Sequence, residues 1–482
     1  MDLSPDYIQK NLEKLGRKEA FRLLKKWIEN SQKSHIRKGS LRVMGKIDEG
    51  THFPFYEQLF ISDNDISVGI TAGKILRDKY SKHPDFLNLL QYCLNQPTHI
   101  DITLFGMQTL WEMGGYQARS ILTDFLKKLI RSISPHNASQ LPTPLPLCAP
   151  YERFTENVFD ICLNITLYKH YKEKCGYNVT MRNGFIILLD CEGGNLKSIN
   201  EISHLQELHH LQYLSLKRNE LSSLKGIPNL RKLINIDVSH NQIQTIAHLE
   251  NQTALEDINL SHNQIKSIAN LTHQHNLKTL DLSYNEISKI QNLTHLKTLK
   301  YLNLSNNQIE AIEQLNGIIH LKKLNLSYNR IEKLENIKVL PNLIWLYLND
   351  NQIEKIEGLG LLKKLRGLFL SNNDIKTIEG LEDLKNLRKL ELSENQITKI
   401  EGLSQNRELQ ELYLDKNKIE NLEGVEALEN LIILFLEQNE IQEFSAAKVE
   451  KLKSLDRFFL NDNPLSEQSF RAYRKFKNYW RK

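Results

Sequence analysis

Cysteine is scarce in this chain: five residues among 482, all before position 192 and none in a Cys-x-x-Cys pair. An odd set (Cys93, Cys148, Cys162, Cys175 and Cys191) without that spacing argues against a disulfide framework or a zinc ribbon. Reduced thiols in a cytoplasmic protein are the expectation. Long apolar runs are missing too. Phe185–Leu189 and Leu431–Leu436 are among the longest, far short of the ~20 residues that cross a bilayer as a helix. The opening Met1-Asp2-Leu3-Ser4-Pro5-Asp6 has neither the basic nor the apolar region of a secretory signal. Charge of one sign is not in large excess, at 63 Lys/Arg against 58 Asp/Glu, so the sum offers no argument for nucleic acid.

Signatures of catalysis are also lacking. Gly358-Leu359-Gly360 has no later glycine to cradle a phosphate, and no Gly-Lys-Ser/Thr, His-Glu-x-x-His or Gly-x-Ser-x-Gly occurs. No cysteine stands beside a recognisable nucleophile motif. A non-enzymatic chain with no cofactor, no metal and no small-molecule substrate is expected. His240 and His262 hold the same position in adjacent repeat units, which puts them ~5 Å apart on neighbouring strands. That is half a metal site at most. Arg218, Tyr284 and Asn306 at the same position read instead as a tolerant surface site.

What the chain does contain is a repeat. Asparagines fall at 219, 241, 263, 285, 307, 329, 351, 373, 395, 417 and 439, each 22 residues after the last, and Asn463 follows. Around each runs one pattern, for example Leu299-x-x-Leu302-x-Leu304-x-x-Asn307-x-Ile309-x-x-Ile312-x-x-Leu315. Leucines alternating with polar residues at 302 and 304 suit a short strand with one buried face. Three-residue spacing from Ile309 to Leu315 suits a tight 3₁₀-like or short helical return. One unit cannot bury its own apolar edge, whereas stacked units share a continuous core. The recurring Asn is read as structural, its amide satisfying backbone groups at the turn.

This pattern resembles the leucine-rich repeat family. The 22-residue form with Ile-x-x-Ile-x-x-Leu after the Asn looks like the subfamily typified by a regulatory subunit of protein phosphatase 1. The resemblance implies an α/β solenoid, a curved parallel sheet with short helical or 3₁₀ returns, whose concave face presents aromatics and acids to a partner protein. It makes a phosphatase a candidate partner, through a consensus that encodes fold rather than function.

Residues 185–465 are assigned to the solenoid, about 12–13 repeats, and 466–482 to a capping helix. The first unit is degenerate, with Gly194 in place of the Asn. Ahead of it, residues 1–133 carry a weaker all-α repeat. Ile36-Arg37-x-x-Ser40-x-x-Val43-Met44-Gly45, Ile66-x-x-x-Ile70-x-x-Gly73-x-Ile75-Leu76 and Ile100-Asp101-x-x-Leu104-x-x-Met107-x-x-Leu110 recur 30 and 34 residues apart. They resemble the inner helices of HEAT-like hairpins; an ordinary helical bundle is the alternative. Prolines 135, 142, 144, 146 and 150 mark a linker over 134–150. Residues 151–184 are expected to form a helical cap, with one amphipathic helix over Glu152–Lys174.

The surface that folding does not need is the outer face of the sheet. The residue between the two strand leucines reads Ser215, Asp237, Asn259, Asp281, Asn303 and Asn325, then Tyr347, Phe369, Glu391, Tyr413, Phe435 and Phe459. Two positions earlier stand Trp345, Ile433 and Arg457. Aromatics and Arg in a concavity are the chemistry of a protein-binding hot spot. Trp345, Tyr347, Phe369, Tyr413, Ile433, Phe435 and Phe459 are the expected anchors, with Glu391 and Arg457 setting polarity. Lateral packing of these rings on one another is the competing reading. Residues 401–450 hold twelve acids against four bases, a solvated flank on the return side. The basic-aromatic tail, Arg471, Tyr473, Arg474, Lys475, Phe476, Lys477, Tyr479, Trp480, Arg481 and Lys482, leaves a second function open: an adaptor touching anionic membrane or nucleic acid.

Overall fold

A computed structural model describes residues 4–96, 99–139, 141 and 155–480, with side chains in the last helix as far as 477. Cys148, the last two residues and, within the expected linker, residues 140 and 142–150 lie outside the described residues. The chain forms two compact units, Met1–Ile186 and Ile187–Lys482.

The first unit is helical. Short α1 (Pro5–Lys10) and α2 (Leu12–Leu15) precede α3 (Arg17–Asn30), α4 (Ser34–Ile47), α5 (Phe53–Ser62), α6 (Ile66–Tyr80), α7 (Phe86–Asn95), α8 (Ile100–Met113) and α9 (Gly115–Ser132). Helices α3/α4, α5/α6 and α7/α8 pack as hairpins, and α4, α6 and α8 pack in succession. Those three carry the repeated motif, and they bury Leu41, Met44, Ala72, Leu76, Met107 and Leu110.

Asp65 caps α6. Its Oδ1 accepts from Ser67 N at 2.9 Å and from Ser67 Oγ at 2.5 Å. The Ser67 hydroxyl, with that of Ser34, pulls its carboxyl down to about 2. The folded pKa thus lies below the ordinary 3.8, so the stabilisation is complete above that value and is lost as pH falls through about 2. Acid titration of the denaturation midpoint should show this: Asp65→Asn is expected to be less stable than wild type at pH 6, with the difference shrinking toward pH 2.

After α10 (Pro135–Ser139), α11 (Glu156–Lys169) runs into a single π turn, His170–Lys174. The sequence suggested an amphipathic helix, but α11 is buried nearly all round. Val158, Phe159, Ile161, Cys162, Ile165, Leu167 and Tyr168 are covered, whereas Leu163 is only partly so. The polar residues among them are internally bonded: Asn164 Oδ1 accepts from Ile186 N at 3.0 Å and Thr166 donates to Cys162 O. Burial pushes the Cys162 thiol up, and Cys93 up to about 12, the reverse of an activated nucleophile.

The strand β1 (Asn178–Arg182) is followed by β2 (Phe185–Asp190). From Leu188 onward the second unit is one parallel sheet in chain order, from β3 (Tyr213–Ser215) to β14 (Arg457–Phe459), each strand three residues long. Registers advance by one repeat, for example Leu280↔Leu302 and Leu302↔Leu324. Leu302, Leu304, Ile309, Ile312 and Leu315 are all buried, as are their equivalents along the solenoid.

The repeated Asn closes each turn. Asn329 Nδ2 donates to Leu326 O at 3.0 Å and Ser327 O at 3.3 Å in its own repeat, and to Leu304 O at 3.0 Å in the preceding one. Its Oδ1 accepts from Ile309 N, also in the preceding repeat, at 3.0 Å. The same set recurs from Asn219 to Asn439. The residue just before each Asn is left-handed, φ near +55°, whether Arg218, His240, Tyr284, Glu394 or Lys416.

The returns are less helical than expected. Among the described residues only Ile199–Glu201, Leu205–Glu207, Ile337–Val339 and Val425–Ala427 are 3₁₀ turns, and Ala446–Val449 is one α turn. Elsewhere, isolated turns meet the three-residue spacing, with bonds such as Leu299 N to Leu296 O at 3.1 Å and Leu321 N to Ile318 O at 3.0 Å. A period of three does not require a continuous helix.

Candidate functional site: the outer sheet face

Strand alternation puts two side chains per strand on the outer face, one at the first position and one at the third. In register, these make two columns running across the sheet. Several early rungs close on themselves, although Tyr301 in the first-position column is exposed. Asn235 donates to Asp257 at 2.8 Å, Asn259 to Asp237 at 3.1 Å and Asn303 to Asp281 at 3.0 Å. From Asp237 to Asn325, a side-chain oxygen of each third-position residue accepts from the Ser backbone two residues on, as Asp281 does from Ser283 N at 2.9 Å.

At Trp345 the chemistry changes. Tyr347 stacks on Phe369 with centroids 4.3 Å apart and planes at 8°, and Trp345 lies 6.2 Å from the same ring. Gly367, beneath Trp345, makes this possible: a Cβ there would sit 2.3 Å from the indole Cε3. Phe369 is only 8% exposed, a supporting ring rather than an outward one. Trp345 and Tyr347 stay half-exposed. Further along, Tyr413, Phe435 and Phe459 form an edge-to-face series at 5.0 and 4.8 Å, all three half-exposed. Ile433 flanks them, half-exposed, and Arg457 is exposed. The rings pack laterally and still offer their outer edges.

Between the two aromatic groups sits a cation that the sequence reading missed. Lys389 Nζ lies 2.9 Å from Glu391 and 3.1 Å from Glu411, 4.8 Å from the Tyr413 centroid and 5.6 Å from that of Phe369. Burial draws its pKa down, but the two carboxylates outweigh that and hold the ammonium above its usual range. Tyr413, partly buried and donating to Glu411 at 3.0 Å, is likewise raised. Glu391 is therefore not a free acid. Its charge is spent on Lys389, which the first-position column (Lys323, Trp345, Gly367, Lys389, Glu411) would have revealed. Lys323 stands 4.9 Å over Tyr347 in the same way.

A cleft of about 530 Å³ opens where the last rung meets α13 (Glu467–Trp480), lined by Phe435, Arg457, Phe459, Tyr473 and Lys477 among others. Helix α13 turns Tyr473 and Phe476 inward and leaves Phe470 exposed. Tyr473 and Phe476 are buried against Phe444 and Phe458, and Tyr473 Oη accepts from Leu460 N at 3.1 Å. Arg471 pairs with Glu467, and Lys477 stands 5.2 Å over Phe459.

His240 and His262 stack face to face at 4.0 Å, and Tyr284 continues the stack at 4.0 Å. Parallel rings point their nitrogens in parallel planes, which do not converge on one ion. Among the described residues no group of three or more His, Cys, Asp or Glu is placed to hold a metal, and no helix is long and apolar enough to cross a membrane.

A strand, an Asn-closed turn and a return every 22 residues define a leucine-rich-repeat solenoid. Overlapping segments from 253–295 to 385–429 match the family profile "Leucine Rich repeats (2 copies)". Among solved structures, an internalin of Listeria monocytogenes is similar at 27% identity and TM-score 0.54, over 58% of this chain and 82% of that one. The leucine-rich repeat domain of APL1B has the same fold at 20% identity and TM-score 0.50, over 60% and 87%. No curated protein matches the chain. Solenoids of this class are typically protein-interaction modules rather than enzymes.

Proposed function

We propose that this chain is a non-enzymatic scaffold or adaptor that docks a partner protein on the outer sheet face between Trp345 and Phe459. One observation carries the reading. The third-position column, amide and carboxylate from Asp237 to Asn325, holds aromatic rings at Tyr347, Phe369, Tyr413, Phe435 and Phe459, all but Phe369 half-exposed. Such rings keep desolvation energy in reserve for a partner. The repeat consensus makes a phosphatase catalytic subunit the first candidate to try, and the hairpins α3–α8, read as HEAT-like, offer a second surface. The alternative, a tail engaging membrane or nucleic acid, is weakened by α13, whose Tyr473 and Phe476 are spent on packing.

The test is Trp345→Ala with Tyr347→Ala in the full chain. Thermal unfolding should shift little, because both rings are only half-buried. Partner capture from native lysate should fall roughly 30-fold, as expected for losing ~2 kcal/mol of hot-spot energy. A large loss of stability would show that the rings are core, and unchanged capture would place the partner elsewhere.

A further inference from the structure

The residue just before each strand forms a third column, on the edge of the sheet rather than its face. From the sixth strand of the sheet onward it reads Lys278, Lys300, Lys322, Ile344, Arg366 and Arg388. Its backbone is bonded rung to rung: Lys300 N to Lys278 O, Lys322 N to Lys300 O, Ile344 N to Lys322 O at 2.8 Å each, and Arg366 N to Ile344 O at 2.9 Å. Five cations in six consecutive rungs therefore stand at strand spacing, ~4.8 Å per rung.

Like charges stacked on adjacent strands oppose folding. Lys278 is relieved by Glu256 at 2.7 Å. Lys300, Lys322, Arg366 and Arg388 have no ion pair among the described residues. Another set of the solenoid's acids lies away from this edge. Glu313, Glu335, Glu357, Glu379, Glu401 and Glu423 make a column of their own on the return side, where they cannot neutralise the edge. A groove of about 510 Å³ follows the basic column from Lys278 to Ile344, short of Arg366 and Arg388, with His320 and Lys364 also lining it and no Tyr, Trp or Phe among its lining residues.

We infer that this edge binds an extended acidic polypeptide segment of a partner, with one apolar side chain seated at Ile344. From Lys278 to Arg388 is five rung spacings, ~24 Å, which an extended chain crosses in about seven residues. Carboxylates on either side of the apolar residue meet Lys322 and Arg366. A single-stranded nucleic acid would match the charge, but the groove lacks the aromatic platforms on which bases stack. This edge shares its later rungs with the aromatic face but is a separate column, and its test substitutes none of the aromatic side chains.

The probe is a fluorescein-labelled heptapeptide, Asp-Glu-Glu-Leu-Glu-Glu-Asp, titrated with the full chain and followed by anisotropy at low and moderate salt. Saturable binding is expected, weakening as salt rises. Lys322→Glu with Arg366→Glu, both exposed in the structure, should weaken it at least tenfold. Lys355→Glu with Lys376→Glu, the same charge change on the exposed return side, should leave it unchanged, and replacing the peptide's Leu by Asp should cost several-fold. Circular dichroism verifies folding of each variant; should the reversal pair fail to fold, Lys322→Ala with Arg366→Ala takes its place. Absence of binding, or equal loss in both pairs, overturns the proposal. So does tighter binding of a heptanucleotide through Lys322 and Arg366, which would assign the edge to nucleic acid.

Discussion

Asn329→Ala is expected to destabilise the solenoid by about 4 kcal/mol. The side chain makes four hydrogen bonds, at 3.0, 3.0, 3.3 and 3.0 Å, in a site 8% exposed. Each such bond contributes about 1 kcal/mol net, and a buried backbone group left without a partner costs about 1–3 kcal/mol. Leu304 O keeps a donor in Asn307, so its loss is mild. Ile309 N has no substitute, and dominates. Asn386→Ala is the control: one exposed bond, to Lys363 O at 2.7 Å, and an expected loss under about 1 kcal/mol. Urea denaturation of the two variants measures the difference; similar midpoints would mean that water replaces the amide.

Gly424→Ala should also be costly, by about 2–4 kcal/mol. Gly424 is left-handed, φ +95°, and an added Cβ would lie 1.8 Å from Ile400 O, a backbone atom that cannot yield. Gly360→Ala is the contrast, since its nearest neighbour is the flexible Asp383 carboxylate at 3.1 Å. Thermal unfolding of the pair should separate them by several degrees. A mild Gly424→Ala would show that the return can slide.

These two sites differ in how well the sequence displays them. The 22-residue period and its Asn are visible to counting, and strand, turn and buried positions follow from it because a repeat has one stacking solution. The glycines at 358, 380, 402 and 424 share that period, yet the equivalent positions hold His248, Asn270, Asn292 and Asn336, also left-handed. There the Asn amides reach back to a carbonyl, as Asn292 does to Ile268 O at 2.8 Å, where the glycine repeats bring that carbonyl too close for a Cβ. Composition at one position conceals two local solutions.

The candidate face was legible by column but not by depth. Trp345, Tyr347, Tyr413, Phe435 and Phe459 lie where alternation puts them. Phe369 occupies the same column yet is covered, because the glycine two residues before it admits a neighbour's indole. Lys389 and Glu411 escaped notice because their pairing crosses strands, from one repeat to the next. Helix α11 misled for a related reason: its inward Asn164 and Thr166 look like a polar face until their bonds are seen.

Each ladder Asn completes the repeat before its own. Ile309 N waits for Asn329, as Ile441 N waits for Asn463. During synthesis, therefore, the newest repeat is always unfinished until some twenty more residues have emerged. The final rung has no successor, and α13 takes that part instead: Tyr473 receives Leu460 N, and Ser469 receives Phe444 N at 2.9 Å. A message truncated between those rungs would yield a chain ending in an open turn, with its amides offered to whatever strand comes first.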